Sequence, residues 1–123
     1  MTTEPEIEKC VLDFIRAGDH NDVPALDRVL HKLYQNVQDG FFERQGLFRF
    51  SKADYKKLVG EKTFGGVPRS IDIRSIEEFG QHMALVRVRL ESNKLIFDSL
   101  IVTVREEGNW QVLYNFPRVE VKA

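Results

Sequence analysis

Beyond GlyGlyValPro at 65–68, the strongest chain breaker in the sequence, every segment alternates with a period of two, and this restricts the second half of the chain to strands. Segment 82–91 sets Ala84, Val86, Val88 and Leu90 against Met83, Leu85, Arg87, Arg89 and Glu91. Side chains alternate across a strand, so the first set forms a core face. SerAsn at 92–93 turns the chain into a segment where Ile96, Asp98, Leu100, Val102 and Val104 share one face. GluGlyAsn at 107–109 then leads into a last strand with Trp110, Val112, Tyr114 and Phe116 on its inner side. These three long strands form a meander, and Ser70–Glu78, carrying Ile71 and Ile73, adds another.

The row containing Asp98 is apolar enough that it is expected to point into the core. Stripping water from a polar group costs roughly 2–7 kcal/mol, and from a charge more, unless donors replace it. The core is therefore expected to be hollow or wet beside Asp98, which predicts a pocket. The opposite face, Leu95, Phe97, Ser99, Ile101, Thr103 and Arg105, joined by Met83, Leu85, Leu113 and Val119, is too apolar for free solvent. Edged by Arg87, Arg89 and Arg105, it is expected to be the interface of a homodimer packed through the outer sheet face.

The first half reads as helices. Ile7, Cys10, Val11, Phe14, Ile15 and Gly18 recur at spacings of three and four, with Thr3 as N-cap and Pro5 in the first turn. After AspHisAsnAsp, Pro24 opens a second helix with Leu26, Val29, Leu30 and Leu33 on one side, so that His31 falls in its last turn. AspGly at 39–40 and GlnGly at 45–46 punctuate hairpin strands up to Phe50. Ser51 with Asp54 forms a capping box, and Tyr55, Leu58 and Val59 before Gly60 complete a third helix. Helices followed by an antiparallel sheet make an α+β layer with the helices covering one concave face.

Residues 1–123 are expected to form a single domain, and 42% hydrophobic content suffices for a core without staples. The lone cysteine, Cys10, excludes an internal disulfide, as in a reducing compartment. Eighteen basic and nineteen acidic residues leave a net charge of −1 with no long run of either sign, which argues against a nucleic-acid footprint or a polybasic membrane patch. The acidic, polar opening MTTEPEIEK is unlike a signal peptide and no apolar run reaches spanning length, so a soluble, cytoplasmic protein is expected.

The order of these elements, with AlaGlyAsp at 17–19, ValLeuHis at 29–31, AspTyrLysLysLeuVal at 54–59, PheAspSerLeu at 97–100 and the GlyAsnTrp turn at 108–110, resembles the nuclear transport factor 2-like superfamily over nearly the whole chain. Within it the chain is most similar to small bacterial proteins of the lumazine-binding group, relatives of polyketide cyclases and steroid delta-isomerases. The resemblance implies a cone, a strongly curved sheet wrapped around helices with a pocket at the wide end, and it implies dimers. Such relatives often continue with ProAsp after the first-half histidine. This chain reads HisLysLeuTyr at 31–34, so that acid is missing. Fold does not fix function, and the superfamily holds enzymes, binding modules and scaffolds.

Candidate residues follow from the inward acid. Asp98 is expected to be a proton-transfer group or ligand anchor, or else a satisfied internal acid. His31 could pair with it across the cavity, or simply interact with the carbonyl end of its helix. Phe14, Tyr34, Trp110, Tyr114 and Phe116 would supply aromatic walls for a hydrophobic small molecule, or only core. Cys10, with no nearby cation, reads as a buried small hydrophobe. With His20 and His82 in or beside turns, no metal-ligand spacing exists; GlyGly at 65–66 lacks the residues of a phosphate loop, and no cofactor is expected. Three readings remain: a small-molecule-binding dimer, a cofactor-free lyase or isomerase using Asp98, and a protein-interaction module.

Overall fold

A computed structural model describes residues 4–122. Helix α1 (Glu4–Asp19) buries Ile7, Cys10, Val11, Phe14 and Ile15, the predicted stripe; Thr3, the expected N-cap, lies outside the described residues. The chain reverses through Asn21, whose φ is 52°. Asp22 then caps α2 (Val23–Val29), its side chain accepting from the Ala25 amide at 3.1 Å.

Helix α2 is shorter than its apolar spacing suggests. Leu30 is already extended, and β1 (Leu30–Phe41) carries His31, Leu33 and Tyr34 as strand residues. His31 is therefore not in a helical last turn, and Leu33 is 66% exposed instead of joining the core. Leu26, Val29, Leu30 and Leu33 suit either period. The strand wins because it buries Leu30 and Tyr34 together, followed at every second position by Asn36 and Gln38.

The hairpin turns at Phe42–Glu43 into β2 (Arg44–Ser51), so GlnGly at 45–46 lies within a strand, not a turn. Ser51 and Asp54 make the predicted capping box on α3 (Lys52–Gly60), both reciprocal bonds measuring 3.2 Å. Strands β3 (Ser70–Phe79), β4 (Met83–Glu91), β5 (Leu95–Glu106) and β6 (Asn109–Val121) complete one six-stranded sheet in the order β2-β1-β6-β5-β4-β3. Only the β1–β6 pairing is parallel. The result is the expected α+β cone, a curled, mainly antiparallel sheet closed over the helices. No helix among the described residues is long and apolar enough to cross a membrane.

Strand register decides which side chains enter the cone. Ala84, Val86, Val88 and Leu90 of β4 are buried, as predicted. They lie opposite Thr103, Ile101, Ser99 and Phe97 of β5, and residues opposite one another in an antiparallel pair share a face. Phe97, Ser99, Ile101 and Thr103 therefore point inward. This corrects the expected orientation: Ile96, Asp98, Leu100, Val102 and Val104 form the convex face, and the residues expected outside are largely the inner ones. Both faces of β5 are apolar, so its own alternation carries no sign.

The last strand holds a second departure. Tyr114 pairs with Val102 but Val112 pairs with Thr103, so one extra residue sits in β6 at this point. Such a bulge shifts the alternation by one. Trp110 and Val112 stay inside as predicted, while Tyr114 and Phe116 turn to the convex face and Asn115 and Pro117 take their place within. Outside, the Tyr114 and Phe116 rings stack with centroids 5.5 Å apart.

Candidate functional site

The wide end of the cone encloses a cavity of about 610 Å³, where the β1–β2 and β4–β5 turns meet the segment joining α3 to β3. One wall is aromatic. Phe14 of α1 lies 6.1 Å from Tyr55 of α3, Tyr55 lies 5.6 Å from Phe64, and Phe64 lies 5.5 Å from Phe41. Centroid separations of this size are those of favourable offset and edge-on ring contacts. Inward residues of β5, Phe97, Ser99 and Ile101, form the facing wall.

The segment carrying Phe64 is held by backbone-directed bonds. The Asn21 side-chain amide donates to the carbonyls of Val59 and Phe64, both at 2.9 Å, and the Gly66 amide donates to the Gly18 carbonyl at 3.3 Å. Gly65 has φ +75°, and a Cβ there would run into the Gly18 carbonyl oxygen. The GlyGly pair is thus a close-approach turn, consistent with its reading as structural. It delivers Arg69 to the cavity, where the guanidinium lies 4.9 Å from the centre of the Phe97 ring. Arg69 Nε donates to Asp19 Oδ1 at 2.7 Å and its backbone amide to Oδ2 at 3.2 Å. This lining cation is therefore neutralised by a buried carboxylate at the end of α1; Arg44 and Lys94 also line the cavity.

A line of polar side chains runs along the inner face of β1. Tyr34 Oη donates to Asn36 Oδ1 at 3.2 Å, Asn36 Nδ2 donates to Gln38 Oε1 at 2.8 Å, and Gln38 Nε2 donates to the Gly40 carbonyl at 2.9 Å. From β6, Asn115 Nδ2 joins Asn36 Oδ1 at 3.1 Å. Asn36, Gln38 and Asn115 line the cavity, and all three are buried. Burial pushes the Tyr34 phenol well above its ordinary pKa and raises that of Tyr55, so both are neutral hydroxyls at physiological pH.

Of the residues nominated from sequence, Phe14 lines this cavity. Tyr34 is buried against Phe14 and Tyr55, at 6.1 and 5.4 Å, without itself lining it. Asp98 lies outside on the convex face, its side chain 45% exposed, with Arg89 at 3.9 Å and Arg118 at 3.8 Å. These are cross-strand neighbours on β4 and β6, so its charge is met by two surface cations and by water. Tyr114 shares that outer face. His31 and Trp110 sit toward the other end: His31 Nε2 meets Glu106 at 3.1 Å while Nδ1 accepts from the Leu33 amide at 3.0 Å. Glu106 is five residues beyond Ile101 on the same strand, about 17 Å at the usual rise. The expected couple of His31 with Asp98 is thus not formed.

Asn36, Gln38, Asn115, Ser99, Tyr55 and Arg69 are the lining groups that the sequence reading missed. A signal existed in Tyr34, Asn36, Gln38 and Gly40, which alternate on one face, but polar residues at every second position ordinarily mark the solvent side of a strand. Cys10 is buried and its thiol is pushed up to about 12 by that burial, in keeping with a small core hydrophobe.

Solved structures share this architecture. An NTF-2 like protein of unknown function from Silicibacter pomeroyi superposes with a TM-score of 0.83 at 20% identity, covering 98% of this chain and 100% of that one. An NTF2-like protein of unknown function from Shewanella baltica gives 0.81 at 13% identity, over 95% and 93% of the two chains. A ketosteroid isomerase-like protein from Erwinia carotovora atroseptica gives 0.76 at 15% identity, over 95% of each. At these identities the likeness shows the fold alone. No curated protein matches the chain. Residues 2–116 match the family described as "Putative lumazine-binding", a span that takes in the helices, the cavity walls and the amide line. The chain thus belongs to that family, and it has the fold of the NTF2-like structures.

Proposed function

We propose that this protein binds a small, flat molecule in the cavity of the cone. The observation that carries the reading is the cavity itself, about 610 Å³ with aromatic and aliphatic walls and a few buried polar groups converging on one side. That combination of size, apolar lining and sparse polar anchors is what small-molecule sites share. The family description supports the same reading. Arg69 offers no free charge to such a ligand, being already paired with Asp19. Binding is favoured over proton transfer by Asp98, since that carboxylate lies on the other side of the sheet from the cavity. Native mass spectrometry of the purified protein is expected to reveal a co-purifying small molecule. Ser99→Phe, which fills the space from the β5 wall, is expected to abolish its retention with the fold intact. Unchanged retention in that variant refutes the assignment of the cavity.

We also propose that the protein works as a homodimer packed through the convex sheet face. Leu100, Val102 and Tyr114 are half-buried there and Phe116 is 37% exposed, a run of apolar surface across neighbouring strands. Arg89, Asp98 and Arg118 border it, and alternating charges of this kind can pair across a two-fold axis. Sedimentation is expected to give twice the chain mass, and Leu100→Glu to halve it. A monomeric parent protein at micromolar concentration refutes the dimer.

A further inference from the structure

The polar groups of the cavity divide into those already bonded to one another and those left open. Asn36, Gln38 and Asn115 belong to the first set, since the amide line ties each to a neighbour and the remaining Asn115 oxygen is sealed from the cavity. Arg69 and Tyr55 belong to the second. Arg69 commits Nε to Asp19 Oδ1 at 2.7 Å, and its guanidinium carbon lies 4.9 Å from the centre of the Phe97 ring. A bond at one edge and a ring beside it hold the group in place. Its Nη groups make no hydrogen bond to any described residue. Nor does the Tyr55 hydroxyl, although its ring packs against Phe14, Tyr34 and Phe64. Among the described residues, the polar side-chain atoms that are both buried and unpartnered are the Trp110 indole nitrogen and the Asn115 oxygen. The Nη groups and the Tyr55 hydroxyl are therefore accessible, and both residues line the cavity.

Burial raises the pKa of the Tyr55 phenol, the Arg69 charge lowers it and the Asp19 charge raises it again, so the hydroxyl feels both members of the ion pair and stays a neutral donor. Asp19 meets the charge of Arg69 but leaves its terminal N–H groups unused. Donors withdrawn from bulk water without an acceptor are costly, and bonds from a cationic donor are about twice as strong as neutral ones. A carbonyl oxygen has two lone pairs and so can take two such donors at once. We propose that the cavity holds its ligand by a ring carbonyl that accepts from the Arg69 Nη groups and the Tyr55 hydroxyl, and discriminates against the same skeleton when that oxygen is absent. The inference rests on the cavity being a binding site, and it names the class of molecule that site takes.

The test compares matched bicyclic probes by calorimetry with the full chain: 1-tetralone against tetralin, and 4-chromanone against chroman. Transfer out of water by itself favours the less polar member of each pair, so a preference for the ketone isolates the acceptor. The ketone is expected to bind about tenfold more tightly. Tyr55→Phe removes one donor and keeps the ring contacts, and it is expected to cut that advantage by about fivefold. Arg69→Met in an Asp19→Asn background, which leaves no buried charge unpaired, is expected to bring it to within about twofold. Should the double variant fail to fold, Tyr55→Phe carries the test. Equal affinity for both members in the parent protein, or tighter binding of the hydrocarbon, overturns the acceptor inference and leaves the cavity reading standing. Binding of none of the four probes overturns both. An advantage that survives unchanged in either folded variant overturns the Arg69–Tyr55 pair as its cause.

Discussion

Replacing Arg69 by methionine tests how the mouth of the cavity is held. Methionine keeps much of the apolar stem that packs over Phe97 but removes the charge from a site where Asp19 is 5% exposed and the arginine side chain 16%. Two bonds reach Asp19 from this residue, Nε at 2.7 Å and the backbone amide at 3.2 Å, and only the second survives. Leaving one member of a buried ion pair without its partner typically costs about 3–5 kcal/mol. The lost guanidinium–ring contact adds about 0.5–1 kcal/mol. For a domain of this length the sum lowers the midpoint of thermal unfolding by roughly 10–20 °C. The diagnostic is the double-mutant cycle with Asp19→Asn, measured by urea unfolding. If the cost comes from an uncompensated buried charge, the double variant is more stable than the sum of the two single losses, by about 2 kcal/mol or more. A loss below about 1 kcal/mol for Arg69→Met, or strictly additive losses, refutes the account of this pair as a buried, mutually dependent contact.

Asp98→Asn is expected to change stability by no more than about 0.5 kcal/mol in chemical unfolding, and to leave probe affinity unaltered, because its two cationic neighbours are surface contacts at 3.8 and 3.9 Å. A lost probe affinity would return this carboxylate to the site. Gly65→Ala is expected to destabilise by several times the ordinary 0.4–1 kcal/mol of a glycine exchange, since it combines positive φ with a collision at the Gly18 carbonyl; a near-neutral variant in urea unfolding contradicts that packing. With burial pushing the Cys10 thiol up to about 12, the reactive thiolate is scarce at neutral pH. Labelling by a disulfide reagent is expected to track global unfolding, and rapid labelling of the native protein would refute the burial of α1's inner stripe.

Much of the framework was legible in the residues. The α1 stripe, the Ser51–Asp54 capping box, the break at 65–68 and the inner face of β4 all follow from local chemistry: helical or strand spacing, a side chain that returns a bond to its own backbone, a dipeptide with no Cβ. Even the true side of Asp98 was implicit. An even-numbered turn, whether the two residues read at 92–93 or the four between the paired Glu91 and Ile96, pairs even positions of one strand with odd positions of the other. With Ala84, Val86, Val88 and Leu90 inside, Phe97, Ser99, Ile101 and Thr103 must be inside too. Reading β5 in isolation, with apolar residues on both faces, conceals this.

Other features existed only in three dimensions. The bulge in β6 turns Tyr114 and Phe116 outward and Asn115 inward, and nothing in the local sequence around 112–114 announces it. Leu26, Val29, Leu30 and Leu33 fit a helix and a helix-to-strand junction equally, until burial of Tyr34 chooses. The site belongs to this second class: Phe14, Tyr55, Arg69, Ser99 and Asn115 come from five separate elements and segments, and polar residues such as Asn36 and Gln38 look like surface until a parallel neighbour brings Asn115 beside them. Local patterning follows from how each side chain treats its own backbone and water, so the chain carries it alone. Which face of a two-sided strand is covered, and which amide is left without a donor, depend on pairing partners distant in sequence, and only the assembled sheet supplies those.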